Sequence, residues 1–245
     1  MPFFAYDDAD HFYGDPHPAP GTRVRFCPER LFAARERRLG RPVKRQRTGS
    51  DGLVVHEDPT AILTWPAALW RVEDLEHPVR PVPHADWARC QAFTVVEQVP
   101  ARLVAGPHGD AVERVITQAR ALTAAQVEAL AALPDGDETA LTRELWDQWR
   151  RDHGSGSPVG CGLTVLHDSV TQAARRVGPH LFGRDEDDEV EVLDDPSWIQ
   201  AHHAAHAAAL ALGAPDHLPP PQNTTLSHRW TSVMGDSAVP GLRRA

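Results

Sequence analysis

The hydrophobic pattern changes its period at Gly106 and Pro107, and this change constrains the fold more than any other feature of the sequence. Before this point, residues 22–26 alternate in the period-2 manner of β-strands, and the runs 52–56 and 93–96 are rich in β-branched residues. After it, apolar residues recur at spacings of three and four, which is the pattern of amphipathic helices. We therefore expect an α+β protein whose strands precede its helices along the chain.

The N-terminal half carries the strand signals. Turn residues at 48–52, 58–59 and 78–83 separate the apolar runs, and short strands at such close spacing favour a small antiparallel sheet. Residues 21–105 are thus predicted to form a small β-rich domain, either an SH3-like barrel or a curled sheet. Residues 1–20 combine aromatic residues with prolines that oppose a helix, which predicts an N-terminal arm that docks elsewhere.

Local sequence signals mark the starts of two helices in the C-terminal half. Thr123 and Gln126 have the spacing of a capping box. Asp195 followed by a proline supplies an N-cap and a proline in the first helical position. Amphipathic helices joined by short links favour a helical bundle. We predict this bundle over residues 106–213 and a proline-containing C-terminal tail over residues 214–245.

The composition excludes several classes of protein. The 245 residues carry a formal net charge of −9 and are 41% hydrophobic, which is typical of a globular chain and not of a wholly disordered one. No apolar run approaches the ~18 residues of a membrane span, and the acidic N-terminal segment is unlike a secretory signal. Three widely spaced cysteines form neither a disulfide framework nor a zinc motif. A cytoplasmic protein without membrane association or a cofactor is expected.

The positive charge is concentrated in one segment. Ten of the 25 basic residues lie within 23–47, where Glu29 and Glu36 are the acidic residues, so this segment has a net charge of +8 and the remainder −17. Arginine forks bind carboxylate and phosphate oxygens in pairs. The candidate partner-binding residues are Arg35, Arg37, Arg38, Arg41, Lys44, Arg45 and Arg47.

The charge segregation predicts a non-catalytic binding or assembly protein. Its basic segment, residues 35–47, would engage an acidic partner. Residues 185–189 are five consecutive acidic residues, which offer such a partner within the same chain or in a second copy. A protein partner or self-association into an oligomer is favoured, because the chain is acidic overall and lacks a diagnostic nucleic-acid motif. Nucleic acid is the alternative partner.

Three histidines in an alanine-rich helix suggest a second hypothesis, a metal- or cysteine-dependent hydrolase. His202 and His206 are four residues apart, which places both on one helix face as two metal ligands would need. The metalloprotease signature has a glutamate where this chain has His203, so its general base is missing. The alternative interpretation is a set of half-buried histidines where helices pack. Candidates for a third ligand are His167, His180 and His217.

The cysteine version of this hypothesis depends on Cys161, which follows a glycine- and serine-rich segment and precedes a helix. A helix N-terminus lowers the pKa of a thiol and makes it more nucleophilic. The chain order Cys161, His202, Asn223 resembles that of some cysteine hydrolases. The alternative interpretation is a flexible link between helices.

Overall fold

The computed structural model describes residues 2–7, 18–28, 52–62, 65–66, 68–82, 85–134, 140–144, 160–184, 191–215 and 218–235. The chain divides into two compact units, Met1–Val104 and Ala105–Ala245. The first unit is built on an antiparallel sheet, and the second consists mainly of helices. The predicted α+β class is confirmed.

A six-stranded sheet in the order β2-β6-β4-β1-β3-β5 forms the first unit, and every pairing in it is antiparallel. The sheet is open, with β2 and β5 as its edges, so the structure has no closed barrel. The strands are β1 Phe3–Asp7, β2 Arg23–Arg25, β3 Leu53–His56, β4 Ala68–Glu76, β5 Trp87–Cys90 and β6 Ala92–Val99.

The core of the first unit uses the same alternation that predicted strands from the sequence. Ala68, Trp70 and Val72 on β4 are buried in one cluster with Phe93 and Val95 on β6. Because successive side chains of a strand point to opposite faces, these residues lie on one face of the sheet. The structure also describes two short 3-10 helices in this part of the chain, Pro59–Ala61 and Ala101–Ala105.

The structure describes part of the N-terminal segment. Residues 1–20 were expected to form an arm that docks elsewhere, and Phe3–Asp7 is docked as an interior strand, paired with β4 on one side and β3 on the other, which the sequence analysis did not predict. Ala5 and Asp7 are fully buried. The strand has only five residues and its partners lie far along the chain, so its local sequence gives little indication of its pairing.

In the part of the second unit that the structure describes, there are five helices of nine residues or more, and residues 140–144 are also helical. The predicted capping box is confirmed: Thr123 Oγ1 accepts from Gln126 N at 3.3 Å, and Gln126 Oε1 accepts from Thr123 N at 3.0 Å. The predicted N-cap is also confirmed, because Asp195 accepts hydrogen bonds from the N–H groups of Ser197 and Trp198. The helices are α1 Gly109–Arg120, α2 Ala124–Ala132, α3 Gly160–Val177, α4 Pro196–Gly213 and α5 Pro220–Met234.

Helix α4 lies at the centre of the second unit and packs against α1, α2, α3 and α5. A helix that is apolar on all sides is expected to be buried. Small side chains let the neighbouring helices approach it closely. The buried alanines of α4 are Ala201, Ala204, Ala205, Ala207, Ala208, Ala209 and Ala211. No helix among the described residues is both long enough and apolar enough to cross a membrane.

Helix α5 corrects the prediction for the C-terminal segment. Residues 214–245 were expected to be a tail because of their prolines, yet Pro220 occupies the start of a fifteen-residue helix. Proline is well tolerated there, since the first N–H groups of a helix have no intrahelical partner. Leu226, Arg229 and Trp230 are buried on this helix.

A short hairpin precedes α4, within the range 106–213 that was predicted as a helical bundle. Its strands are β7 Phe182–Arg184 and β8 Glu191–Leu193, which pair antiparallel. The acidic residues 185–189 lie between the two strands in sequence and are outside the described residues. Asp195, which belongs to the same acidic stretch, has a structural role as the N-cap of α4.

Candidate functional site

The seven candidate partner-binding residues of the basic segment, 35–47, lie outside the described residues. The structure does describe strands β2 and β3, which precede and follow the basic segment in the sequence. Strand β2 forms one edge of the sheet, and β3 lies four positions away in the same sheet. The basic segment thus lies, in the sequence, between two strands of one sheet.

The first two arginines of the positively charged stretch are paired within the sheet. Arg23 and Arg25 both contact the Glu76 carboxylate, at 3.2 Å and 3.3 Å, and Arg23 also donates to Thr94 Oγ1 at 3.1 Å. Exposed pairs of this kind contribute about 0–1 kcal/mol to stability. One carboxylate thus compensates part of the charge of two arginines.

A cluster of histidines forms where α3 and α4 pack together. The ring centroids of His202 and His206, one turn apart on α4, are separated by 4.1 Å. The ring of His167 on α3 meets that of His202 edge to face, with centroids 5.1 Å apart. His203 lies 5.9 Å from His202 between ring centroids. The three histidines of α4 are half-buried, while His167 is exposed.

His202 is the most perturbed member of this histidine cluster. Its pKa is lowered from 6.5 to about 4, first because burial disfavours the charged ring and then because of the neighbouring charges of His167 and His203. Its Nε2 atom is buried and has no hydrogen-bond partner within the described part of the chain. His202 is accordingly neutral at pH 7, the form in which an imidazole nitrogen can ligate a metal ion.

The cluster supplies fewer metal ligands than a closed site requires. Among the described residues, no three His, Cys, Asp or Glu side chains are arranged to hold a metal ion. The structure brings His167 to His202 and His206, but the ring of His180 lies against Gly178. His217 is outside the described residues. A metal bound here would need ligands from rearranged side chains or from solvent.

The residues of the cysteine hypothesis are not brought together by any described contact. Cys161 is the second residue of α3, and its side chain is outside the described part of the structure. Asn223 Nδ2 donates to the Ala211 carbonyl oxygen at 3.1 Å, which ties α5 to α4. Burial raises the pKa of the Cys90 thiol to about 11, so this cysteine is a poor nucleophile at neutral pH.

The first unit contains a buried histidine, His56, that was not singled out from the sequence. His56 on β3 is buried, and its pKa is lowered by desolvation, an effect that the negative charge of Asp86 partly opposes. The ring of Tyr6 lies 6.0 Å from that of His56 between centroids. In the sequence, His56 is distinguished only as a polar residue at the end of a predicted strand, and such residues are too common to identify a site.

The sequence and the structure were compared with known proteins. No protein-family model matches the sequence, and neither a curated protein nor a solved structure matches the chain.

Proposed function

We propose that the protein is a non-catalytic binding or assembly protein whose basic segment, residues 35–47, engages an acidic partner. The observation that carries this proposal is the charge segregation, with +8 in residues 23–47 and −17 in the remainder. Seven basic residues within thirteen positions concentrate the field that attracts carboxylates or phosphates. A partner bound there would release counterions, so its affinity falls as salt rises.

The geometry of the sheet supports this function in two ways. Because Arg23 and Arg25 are already paired with Glu76, the charge available to a partner belongs mainly to the eight basic residues that follow, seven of which lie within 35–47. The chain that carries these residues starts at β2 and ends at β3 of one sheet. Anchoring both ends limits the conformations that binding must select, which lowers its entropic cost.

A protein partner, including a second copy of the chain, is favoured over nucleic acid. The acidic residues 185–189 lie between the strands of the β7–β8 hairpin and complement the basic segment in charge. The chain as a whole is negative, which repels a nucleic-acid backbone outside the basic segment. A location in the reducing cytoplasm is part of this proposal, because the three widely spaced cysteines do not form a disulfide framework.

Sedimentation velocity tests the self-association form of the proposal. We expect a larger species at about 50 mM salt that dissociates at about 200 mM, because screening weakens contacts between exposed charges. If the chain is a monomer at both salt concentrations, self-association is contradicted. Titration with labelled poly-glutamate and with a labelled DNA duplex at the lower salt then distinguishes an acidic protein from nucleic acid. Failure to bind either polymer would contradict the proposed function.

The second candidate function is a metal-dependent hydrolase that uses the His202 and His206 helix. The observation that favours it is the adjacency of the rings of His167, His202 and His206. Two imidazoles one helical turn apart provide two ligands, and solvent or a substrate would complete the coordination. Because His202 is neutral at pH 7, protons do not compete with a metal ion for it.

Zinc binding by protein purified without a histidine tag tests this candidate. We expect zinc to raise the melting temperature, with a stabilisation of about 2.7 kcal/mol when the free metal is a hundred times its Kd. The effect should disappear in His202→Ala and His206→Ala and persist in His228→Ala, since His228 is exposed on α5. A melting temperature that does not respond to zinc would rule out this function.

A further inference from the structure

The two edges of the six-stranded sheet in the first unit differ. Along β5, Val79 and Arg89 exchange backbone hydrogen bonds of 2.8 Å and 2.9 Å, so this edge is covered. Strand β2, Arg23–Arg25, pairs with β6 on one side, and no strand that the structure describes lies on its other side. The N–H and C=O groups along such an edge are a template for pairing with another chain.

The hydrogen bonds around β2 show which of its backbone groups point outward. The Thr22 carbonyl oxygen accepts from Val95 N at 2.9 Å, and Phe26 N donates at 2.8 Å to the residue that precedes β6. In an antiparallel pair, residues whose backbone groups face the partner strand alternate with residues whose groups face away from it. Arg23 and Arg25 occupy the alternate positions, so their N–H and C=O groups point away from β6.

Strand β8 is an edge of the two-stranded sheet in the second unit. Asp194 N donates to the Leu181 carbonyl oxygen at 3.0 Å, so the backbone N–H of Asp194 faces β7. By the same alternation, Val192 faces β7, and the N–H and C=O groups of Glu191 and Leu193 point away from it. Strands β2 and β8 therefore offer edges of three residues each, with outward backbone groups at the first and third positions.

Antiparallel pairing of β2 with β8 brings all of these outward groups together. Arg25 then lies opposite Glu191, and this register sets an acidic residue against an arginine. Arg23 lies opposite Leu193 in the same register. Each of these two residue pairs exchanges both of its backbone hydrogen bonds. Opposite charges at directly opposed positions stabilise an antiparallel pair, so the charges favour this register.

The order of the charged residues along the chain favours the antiparallel direction. The basic segment, residues 35–47, follows β2 in the sequence, whereas the acidic residues 185–189 precede β8. Because antiparallel strands run in opposite directions, the chain that leaves β2 and the chain that enters β8 lie at the same end of the pair. Parallel pairing would place these two oppositely charged continuations at opposite ends.

We propose that copies of this chain associate by antiparallel pairing of β2 of one copy with β8 of a second copy. The inference rests on the proposed function in its self-association form and names the surfaces that meet. Pairing of β2 with β2 would place Arg23 opposite Arg25, and pairing of β2 with β7 would place Arg23 opposite Arg184. Arginines on an edge strand oppose such contacts and leave an acidic strand as the favoured partner. The contact joins two different surfaces, so it is heterologous.

Proline substitutions at outward-facing positions test this proposal by sedimentation velocity at about 50 mM salt. A proline at such a position removes one outward N–H group and leaves the hydrogen bonds to β6 or β7 in place. Arg25→Pro blocks the edge of β2, and Leu193→Pro blocks the edge of β8. We expect each variant alone to be monomeric at a concentration at which the wild type associates. Arg184→Pro makes the same change on β7 and, as the matched control, should associate as the wild type does.

An equimolar mixture of Arg25→Pro and Leu193→Pro separates edge pairing from a folding defect. The first variant keeps the edge of β8 and the second keeps that of β2, so the mixture should form a species of two chains that grows no further. Hydrogen exchange of the wild type gives a second measurement. The amides of Arg25 and Leu193 should exchange at least about tenfold more slowly in the associated form than in the monomer.

The proposal is overturned if the wild type is monomeric at about 50 mM salt, or if it associates while the mixture of variants stays monomeric. It is also overturned if both proline variants associate as the wild type does. Binding of labelled poly-glutamate distinguishes these failures from failure of the proposed function. A chain that binds this polymer but does not pair through β2 and β8 retains the proposed function and loses only the self-association surface.

Discussion

Replacement of Trp230 by alanine is expected to destabilise the second unit by about 3–5 kcal/mol, the usual cost of truncating a buried tryptophan. Trp230 lies on α5 and is fully buried, and its Nε1 atom donates to Gln118 Oε1 on α1 at 2.9 Å. The truncation leaves a cavity. It also leaves the partly buried side-chain oxygen of Gln118 without the hydrogen bond that Trp230 donates to it. The effect is large because the segment that the sequence indicated as a tail contributes to the helical core.

Urea unfolding followed by circular dichroism measures the effect of the Trp230 variant. The matched control is His228→Ala, which removes an exposed side chain from the same helix and should change the unfolding free energy by less than about 0.5 kcal/mol. If Trp230→Ala costs no more than this control, α5 does not belong to the core. The interpretation of residues 214–245 as a tail would then be correct.

Acidification is expected to remove about 3 kcal/mol of stability from the second unit through His202. The pKa of His202 is about 4 in the folded protein, compared with 6.5 for the ordinary side chain. Between these two values the unfolded chain takes up the proton and the folded chain does not. The contribution of His202 is therefore fully present above about pH 6.5 and is lost as the pH falls towards about 4.

The pH dependence of the unfolding free energy of His202→Gln tests this prediction. The substitution removes the titration and keeps a polar side chain, so the acid loss of stability should be smaller than in the wild type by about 3 kcal/mol. His56 has a lowered pKa as well, but it contributes equally to both proteins and cancels in the difference. His228→Gln, an exposed change on α5, should leave the wild-type profile unchanged. Parallel profiles for His202→Gln and the wild type would contradict the account of the cluster.

His167→Gln provides a finer test of the same cluster. The charge of His167 helps to lower the pKa of His202, so its removal should raise that pKa towards 6.5 and reduce the acid loss of stability. The ring of His167 is exposed, so the substitution should have little effect on stability at pH 7. A full acid loss in this variant would assign the low pKa of His202 to burial and to His203, without a contribution from His167.

Features that depend on neighbouring residues in the chain could be predicted from the sequence. The capping box of Thr123 and Gln126 and the Asp195 N-cap are satisfied within three residues of chain, so residue types alone reveal them. The interior position of β1 depends on pairing with strands that lie about fifty or more residues away, and no local pattern encodes that choice. The prolines of residues 214–245 were read as evidence against a helix because proline disrupts helix interiors, but Pro220 lies at the first helical position, where proline is favoured.

The candidate site shows the same division between local and long-range information. The spacing of His202 and His206 shows that they share a helix face, and their rings are adjacent in the structure. The contact with His167 arises from the packing of α3 against α4, which the sequence does not specify. The low pKa of His202 follows from that packing, since burial is its largest cause.

The most direct test of the proposed function compares two variants that change the net charge equally. One replaces Arg37, Arg38, Arg45 and Arg47 of the basic segment with serine, and its control replaces four arginines elsewhere. Binding of labelled poly-glutamate and of a labelled DNA duplex is measured at about 50 and 200 mM salt. The control residues are Arg143, Arg150, Arg243 and Arg244.

We predict that the wild type and the control variant bind an acidic polymer at the lower salt. If the polymer is DNA, the affinity should fall by about three powers of ten at the higher salt, as expected for six or more phosphate contacts. The variant of the basic segment should not bind at either salt concentration. Equal binding by the two variants would contradict the assignment of the partner surface to residues 35–47, and with it the proposed binding function.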